Sequence, residues 1–216
     1  MKRYNVREPV VLLIFDIDST LYSNDAYAAF QNDALIQRLA DERHVAFANA
    51  KAEVDRARKA RADRSGGKTT SLGNAFLELG VSIQTSVRWR IEEIEPKKWL
   101  SRDASLVAAL RSLAGNGYKL CSVTNNPRQV GEKALDALGV YDYFDFVIGL
   151  DDTFKSKPEP EPFLLAAKKG EEPHERCVSI GDRYDVDCAT PISLGMGAIL
   201  VDGVRDVYEM GGLGRI

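Results

Sequence analysis

The sequence predicts an α/β fold: a parallel sheet between two layers of helices, interrupted near its amino end by an all-helical insert. Three observations lead there. Val10 to Phe15 is an unbroken apolar run, as expected of a parallel strand covered on both faces. From residue 103 onward, short apolar runs alternate with segments of helical periodicity, the pattern of strand–helix–strand units. Residues 22–100 carry no strand signal at all.

The elements follow in order. After Val10–Phe15, strands are expected at Tyr118–Val123, Phe146–Gly149, Cys177–Ile180 and Ala198–Val201. Between them, residues 103–114 read as a helix that stops at Gly115-Asn116-Gly117. Residues 127–138 start on Pro127 and end before Gly139, and residues 162–169 start on Pro162, the proline-first, glycine-last asymmetry of helices. In the insert, Ala26, Ala29, Phe30, Leu35, Ile36 and Leu39 recur at helical spacing over residues 25–43. A charged helix over 45–64 and two short helices over 71–79 and 84–94 complete it. The expected organisation is a three-layer Rossmann-like core of residues 1–21 and 101–216, with a helical cap domain over 22–100.

Composition excludes several classes. Of the 216 residues, 44% are hydrophobic and 28% charged, ordinary for a globular chain. A net charge of −3 gives no support to nucleic-acid or membrane-surface binding. No apolar stretch approaches a membrane span, and the first apolar run ends in Asp16 and Asp18 rather than in a small-residue cleavage site, so a cytoplasmic protein is expected. Cys121, Cys177 and Cys188, odd in number and without CxxC spacing, read as buried free thiols.

In open α/β sheets ligands bind beyond the carboxyl ends of the strands. Here those ends carry chemistry. The first strand runs into Asp16-Ile17-Asp18-Ser19-Thr20, the second into Thr124-Asn125-Asn126, and the fourth into Gly181-Asp182-Arg183-Tyr184-Asp185-Val186-Asp187; Lys157-Pro158 follows the third. Asp16 and Asp18, two apart, would share a side in extended geometry, and two such carboxylates need a cation or a shared proton. Adding Asp182 makes a hard-oxygen set suited to Mg²⁺, which keeps waters and binds substrate phosphates. Lys157, Thr124 and the N-terminus of the helix after Pro127 would face phosphoryl oxygens.

Asp16-x-Asp18-x-Thr20, then Thr124, then Lys157-Pro158, then Gly181-Asp182 and Asp187, in this order along the whole chain, resembles the haloacid dehalogenase superfamily, and the insert sits where that family's type 1 cap sits. The resemblance implies roles. Asp16 would be the nucleophile that forms an aspartyl-phosphate, and Asp18 the general acid and base. Thr124, Asn125 and Lys157 would bind the substrate. Mg²⁺ would be held by the Asp16 side chain, the Asp18 carbonyl and Asp182, with Asp187 behind them and Asp185 as its competitor. Because Asp18 is present, phosphatase chemistry on a small phosphorylated metabolite is favoured over halide displacement. A phosphomutase of the β-phosphoglucomutase type and a non-catalytic metabolite-binding protein are the alternatives. Asp16 to Tyr22 is also similar to the first motif of pyrimidine 5′-nucleotidases, with Ser19 where Asn is usual, which suggests a nucleoside monophosphate or a sugar phosphate, handled by a monomer or homodimer. Gly67 to Gly73 loosely resembles the cap loop of those nucleotidases.

Other motifs read more plainly. Gly66-Gly67-Lys68-Thr69 looks like a P-loop fragment, but position 62 is Ala and no strand precedes it. The basic run from Lys51 to Lys68 is the solvated face of a helix, Trp89 and Trp99 are packing residues, and His44 and His174 lack ligand spacing. Lys155 competes with Lys157 for the phosphoryl role.

Overall fold

The computed structural model describes residues 1–64 and 71–211; of the expected loop Gly67 to Gly73, residues 67–70 lie outside them, as do residues 212–216. In chain order the elements are β1 (Lys2–Tyr4), β2 (Leu12–Phe15), α1 (Asp25–Arg43), α2 (Phe47–Arg64), α3 (Leu72–Glu78), α4 (Ile83–Glu93), α5 (Ala104–Gly115), β3 (Lys119–Val123), α6 (Arg128–Leu138), β4 (Phe146–Ile148), α7 (Leu150–Thr153), α8 (Glu161–Gly170), β5 (Cys177–Gly181), α9 (Ala189–Ser193), β6 (Gly197–Leu200) and α10 (Val204–Met210). Two compact units result: Met1–Asn24 with Pro96–Ile216, and Asp25–Glu95.

The first unit is built on a six-stranded sheet in the order β1-β6-β5-β2-β3-β4. Strands β2 to β6 are mutually parallel, whereas β1 joins the edge antiparallel to β6, pairing Arg3 with Ile199. The expected parallel sheet is present, with one antiparallel strand added at that edge. Three residues, mostly exposed, are too short to show a period, so β1 left no signal. Strand β2 lies at the centre, between β3 and β5, and its Leu12, Leu13, Ile14 and Phe15 are all buried, each burial stabilising by about 1.5–3 kcal/mol. One face of the sheet packs Leu12, Ile14, Cys121, Val123 and Ile148 against Phe163, Ala166 and Ala167 of α8. The strand order changes direction between β2 and β5, which makes the crevice at their carboxyl ends the topological switch point.

Helix ends follow local chemistry. Asp103 caps α5 by accepting from Leu106 N–H at 3.0 Å. Gly139, at φ 75°, closes α6 in the left-handed conformation that glycine takes without a Cβ penalty. Helix α8 begins one residue before Pro162, at Glu161, with Pro160 at its cap and Pro162 in its first turn.

Among its described residues the second unit contains helices and no strand. Leu35, Ile36 and Leu39 of α1, Ala50 and Val54 of α2, Ala75 and Phe76 of α3 and Trp89 of α4 form its core, with Phe76 and Trp89 meeting edge to face at 5.7 Å. Ser71 and Ser82 cap α3 and α4 by accepting from Asn74 N–H and Thr85 N–H. No helix among the described residues is long and apolar enough to cross a membrane.

Candidate active site

The site is built from the end of β2 outward. Asp16 N–H still donates to Ile180 O of β5 at 2.8 Å, so Asp16 continues the ladder. Directly after it the chain curls. Thr20 and Leu21 donate back to Ile17 O, and Ser19 takes φ 62°. Asp18 therefore sits in a helical turn rather than on an extended strand, which corrects the assumption that strand geometry aligns the two carboxylates. Thr20, fully buried, donates from its hydroxyl to Asp16 Oδ2 at 3.2 Å.

Lys157 is buried and its ammonium bridges two carboxylates, donating to Asp16 Oδ1 at 2.6 Å and to Asp187 Oδ1 at 2.7 Å. Burial alone would lower its pKa, but the facing charges and hydrogen bonds of Asp16 and Asp187 outweigh that and raise it, so the cation is permanent. Lys155, by contrast, is exposed in the preceding loop. The Asn125 amide clamps the Lys157 backbone from both sides, accepting from Lys157 N–H at 2.7 Å and donating to Lys157 O at 3.2 Å. The side chain expected to touch substrate is thus occupied with placing Lys157. Thr124 is buried at the end of β3; its Oγ accepts from Asn126 N–H at 3.1 Å, which leaves the hydroxyl hydrogen to donate. The helix after Pro127 departs from expectation: its first N–H, on Arg128, is taken by Asp151 Oδ1 at 2.7 Å.

Beyond β5 the chain makes one turn of π-helix, Tyr184–Cys188, a form that recurs at functional sites. It turns Asp187 inward to Lys157 and leaves Asp185 exposed, so Asp187 and not Asp185 stands behind the lysine. Asp187 Oδ2 accepts from Arg183 N–H at 3.1 Å. Burial raises the Asp187 pKa, Lys157 pulls it down and Asp16 pushes it up again, and the net direction is upward. Gly181 is required for this approach, since a Cβ there would lie 2.4 Å from Asp187 Cβ and Cγ.

Asp182 is the carboxylate left over. Its Oδ1 is buried with no hydrogen-bond partner, and the Arg183 Nε stands off at 3.8 Å. Burial first, then the charge of Asp16, raises its pKa to about 6. Oxygens of Asp16, Asp182 and Asp187 all lie within 4.8 Å of one another. An orphaned carboxylate oxygen beside a second carboxylate fits a hard divalent cation such as Mg²⁺. Both oxygens of Asp187 are engaged, by Lys157 and Arg183, and both of Asp16, by Lys157 and Thr20, so Asp182 Oδ1 is the oxygen in this group that a cation would meet with no donor on it.

Two residues near Asp18 had been given no role of their own from the sequence. Tyr22 donates from its hydroxyl to Asp18 Oδ1, and Asn126 Nδ2 donates to Asp18 Oδ2 at 3.0 Å. Asn126 directly follows two residues that were singled out, and Tyr22 lies one helical turn after Asp18, so spacing was the available signal for both.

Comparison with known proteins finds relatives and structural neighbours of one kind. The putative pyrophosphatase PpaX of Caldanaerobacter subterraneus subsp. tengcongensis is 37% identical over 78 residues, 36% of this chain and 36% of that protein. A phosphoglycolate phosphatase of Cereibacter sphaeroides is 32% identical over 114 residues, 52% of this chain and 51% of its own. The chain thus spans about a third to a half of the length of these curated relatives. The crystal structure of a HAD phosphatase from Thermococcus onnurineus superposes with a TM-score of 0.63 at 20% identity, over 96% of this chain and 100% of that one. A β-phosphoglucomutase from Clostridium difficile gives a TM-score of 0.54 at 16% identity, over 93% and 97%. These two likenesses show the fold. The family model for haloacid dehalogenase-like hydrolases matches residues 10–195, and the chain belongs to that family.

Proposed function

We propose that this chain is a magnesium-dependent phosphatase that hydrolyses a small phosphate monoester through a phosphorylated Asp16. The observation that carries the reading is the buried Lys157 ammonium, a fixed cation held between Asp16 and Asp187 at the switch point of the sheet. Asp16, Asp182 and the Asp18 carbonyl would hold Mg²⁺, which, when bound, neutralises carboxylate and phosphoryl charge.

The residues then have these tasks. Lys157 and the Thr124 hydroxyl orient the transferring phosphoryl group and stabilise its oxygens as charge builds. An Asp16 oxygen attacks phosphorus, the bond to the leaving oxygen breaks, and Asp18 gives its proton to that oxygen. Asp18, now a carboxylate, takes a proton from water; the water oxygen bonds to phosphorus and the Asp16–phosphorus bond breaks, returning the free carboxylate. Asp187 and Asn125 keep Lys157 in place. The helical unit supplies substrate selection, as a cap. The free buried thiols of Cys121, Cys177 and Cys188 suit a reducing cytoplasm.

The test is phosphate release from nucleoside monophosphates, sugar phosphates and an aryl phosphate, with Mg²⁺ and with chelator. The names of the relatives add pyrophosphate and phosphoglycolate to that panel. Magnesium-dependent release that Asp16→Asn abolishes is the expected result. Equal release from the variant would sink the reading, and isomerisation of a sugar phosphate without release would replace it with a mutase.

A further inference from the structure

Asp18 is held by both of its oxygens. The Tyr22 hydroxyl donates to Oδ1 and the Asn126 amide to Oδ2, the latter at 3.0 Å. Both donors are themselves fixed. Tyr22 is 6% exposed and lies in the turn that follows Asp18. Asn126 is tied down through its backbone, donating to Thr124 Oγ at 3.1 Å and accepting from Leu150 N–H at 2.9 Å. The same residue thereby links Asp18 to Thr124, which the phosphatase reading assigns to the phosphoryl group.

The two donors differ in kind. An amide N–H can only donate, whereas a phenol hydroxyl donates to a carboxylate and accepts from a carboxylic acid. Asn126 and Tyr22 together fix both oxygens of Asp18 from two sides. A buried tyrosine needs a polar partner in any case. That bland role predicts a loss of packing or stability, indifferent to the substrate.

We propose that Tyr22 and Asn126 are positioning residues that hold the Asp18 carboxyl where the leaving oxygen is protonated. This rests on the phosphatase reading and adds to it a dependence on the leaving group. Departure of an alkoxide needs a proton from Asp18, whereas a 4-nitrophenolate leaves without one. A misplaced Asp18 must therefore slow alkyl esters far more than activated aryl esters.

The experiment uses the full chain with saturating Mg²⁺. First-turnover release of the alcohol is followed by quenched flow, for 4-nitrophenyl phosphate and for the best alkyl phosphate of the panel. Wild type, Tyr22→Phe and Asn126→Ala are compared, with melting curves to show that each is folded. The alkyl ester is expected to slow by about 10–100-fold and the aryl ester by less than about threefold, with substrate affinity nearly unchanged. Equal slowing of both esters, or no slowing of either, in an active enzyme overturns the positioning role alone. A wild type that releases no phosphate overturns the phosphatase reading and this inference with it. If Tyr22→Phe fails to fold, Asn126→Ala, which leaves the backbone bonds of residue 126 in place, decides the matter.

Discussion

In the helical unit the ion pairs among the described residues lie near the surface; in the unit that carries the sheet, one linked set lies buried at the end of the central strand. Arg61 and Arg64 of α2 both reach Glu78 of α3, and Arg43 reaches Glu53, all from positions about a third exposed or more. Beneath them the core of that unit is apolar, filled by Trp89, Phe76 and Leu35. In the sheet unit Lys157, Asp16 and Asp187 are withdrawn from water together. Exposed pairs are screened and contribute little, while a buried pair repays its desolvation only with good geometry and full hydrogen bonding. A fold that needed only stability would place its charges as the helical unit does. The buried triad therefore marks the place where stability yields to chemistry.

The sharpest way to break this contrast is to remove the shared cation. Lys157→Ala leaves Asp16 and Asp187 buried side by side, and is expected to cost about 3–5 kcal/mol of stability as well as all phosphate release. A denaturant melt that moves by less than about 1 kcal/mol would show that the triad is not under electrostatic load. Asp16→Asn is expected to lower turnover by about 10⁴-fold or more while the protein stays folded, measured as phosphate release against a matched melting curve.

A second test uses pH. Asp182, raised from 3.8 to about 6, binds its proton more tightly folded than unfolded. The folded state then holds more protons than the unfolded one between those values, so magnesium-free protein should lose stability as pH rises through that window. Mg²⁺ competes with the proton for the same carboxylate. Its affinity should climb with pH to about 6 and then level off, and calorimetry near pH 5 in two buffers of different ionisation heat should show proton release. Affinity that is flat across this range would remove Asp182 from the metal site.

Smaller effects refine the comparison. Gly181→Ala, whose Cβ would sit 2.4 Å from Asp187 Cβ, should cost about 1–3 kcal/mol and lower turnover by displacing Asp187 from Lys157. Arg61→Ala in the helical unit should change stability by no more than about 1 kcal/mol, and by less in high salt. A larger cost would mean that the outer pairs of that unit matter more than exposed pairs do elsewhere.

Much of this was legible in the residues. The apolar runs at Leu12–Phe15, Lys119–Val123 and Cys177–Gly181 announced buried strands, because a parallel strand covered on both faces has no polar side to show. The insert helices were legible as segments over 25–43, 45–64, 71–79 and 84–94, the first from its apolar periodicity. Asp16, Asp18, Thr124, Lys157 and Asp182 were singled out because the carboxyl ends of parallel strands are where such a sheet presents its chemistry. Strand β1 was not found, since three residues at a sheet edge take their conformation from the neighbour they pair with rather than from their own pattern.

What the sequence determined by itself was thus the order of elements and the kinds of side chain delivered to one edge, because burial, capping and period act within short stretches of chain. Only the tertiary structure decided how those side chains are employed. It turned Asn125 to the Lys157 backbone, placed Tyr22 and Asn126 on the two oxygens of Asp18, chose Asp187 over Asp185 through one π-helical turn, and left Asp182 Oδ1 without a partner. Those choices are set by hydrogen bonds between residues up to 108 positions apart, and no local pattern encodes which donor will meet which acceptor.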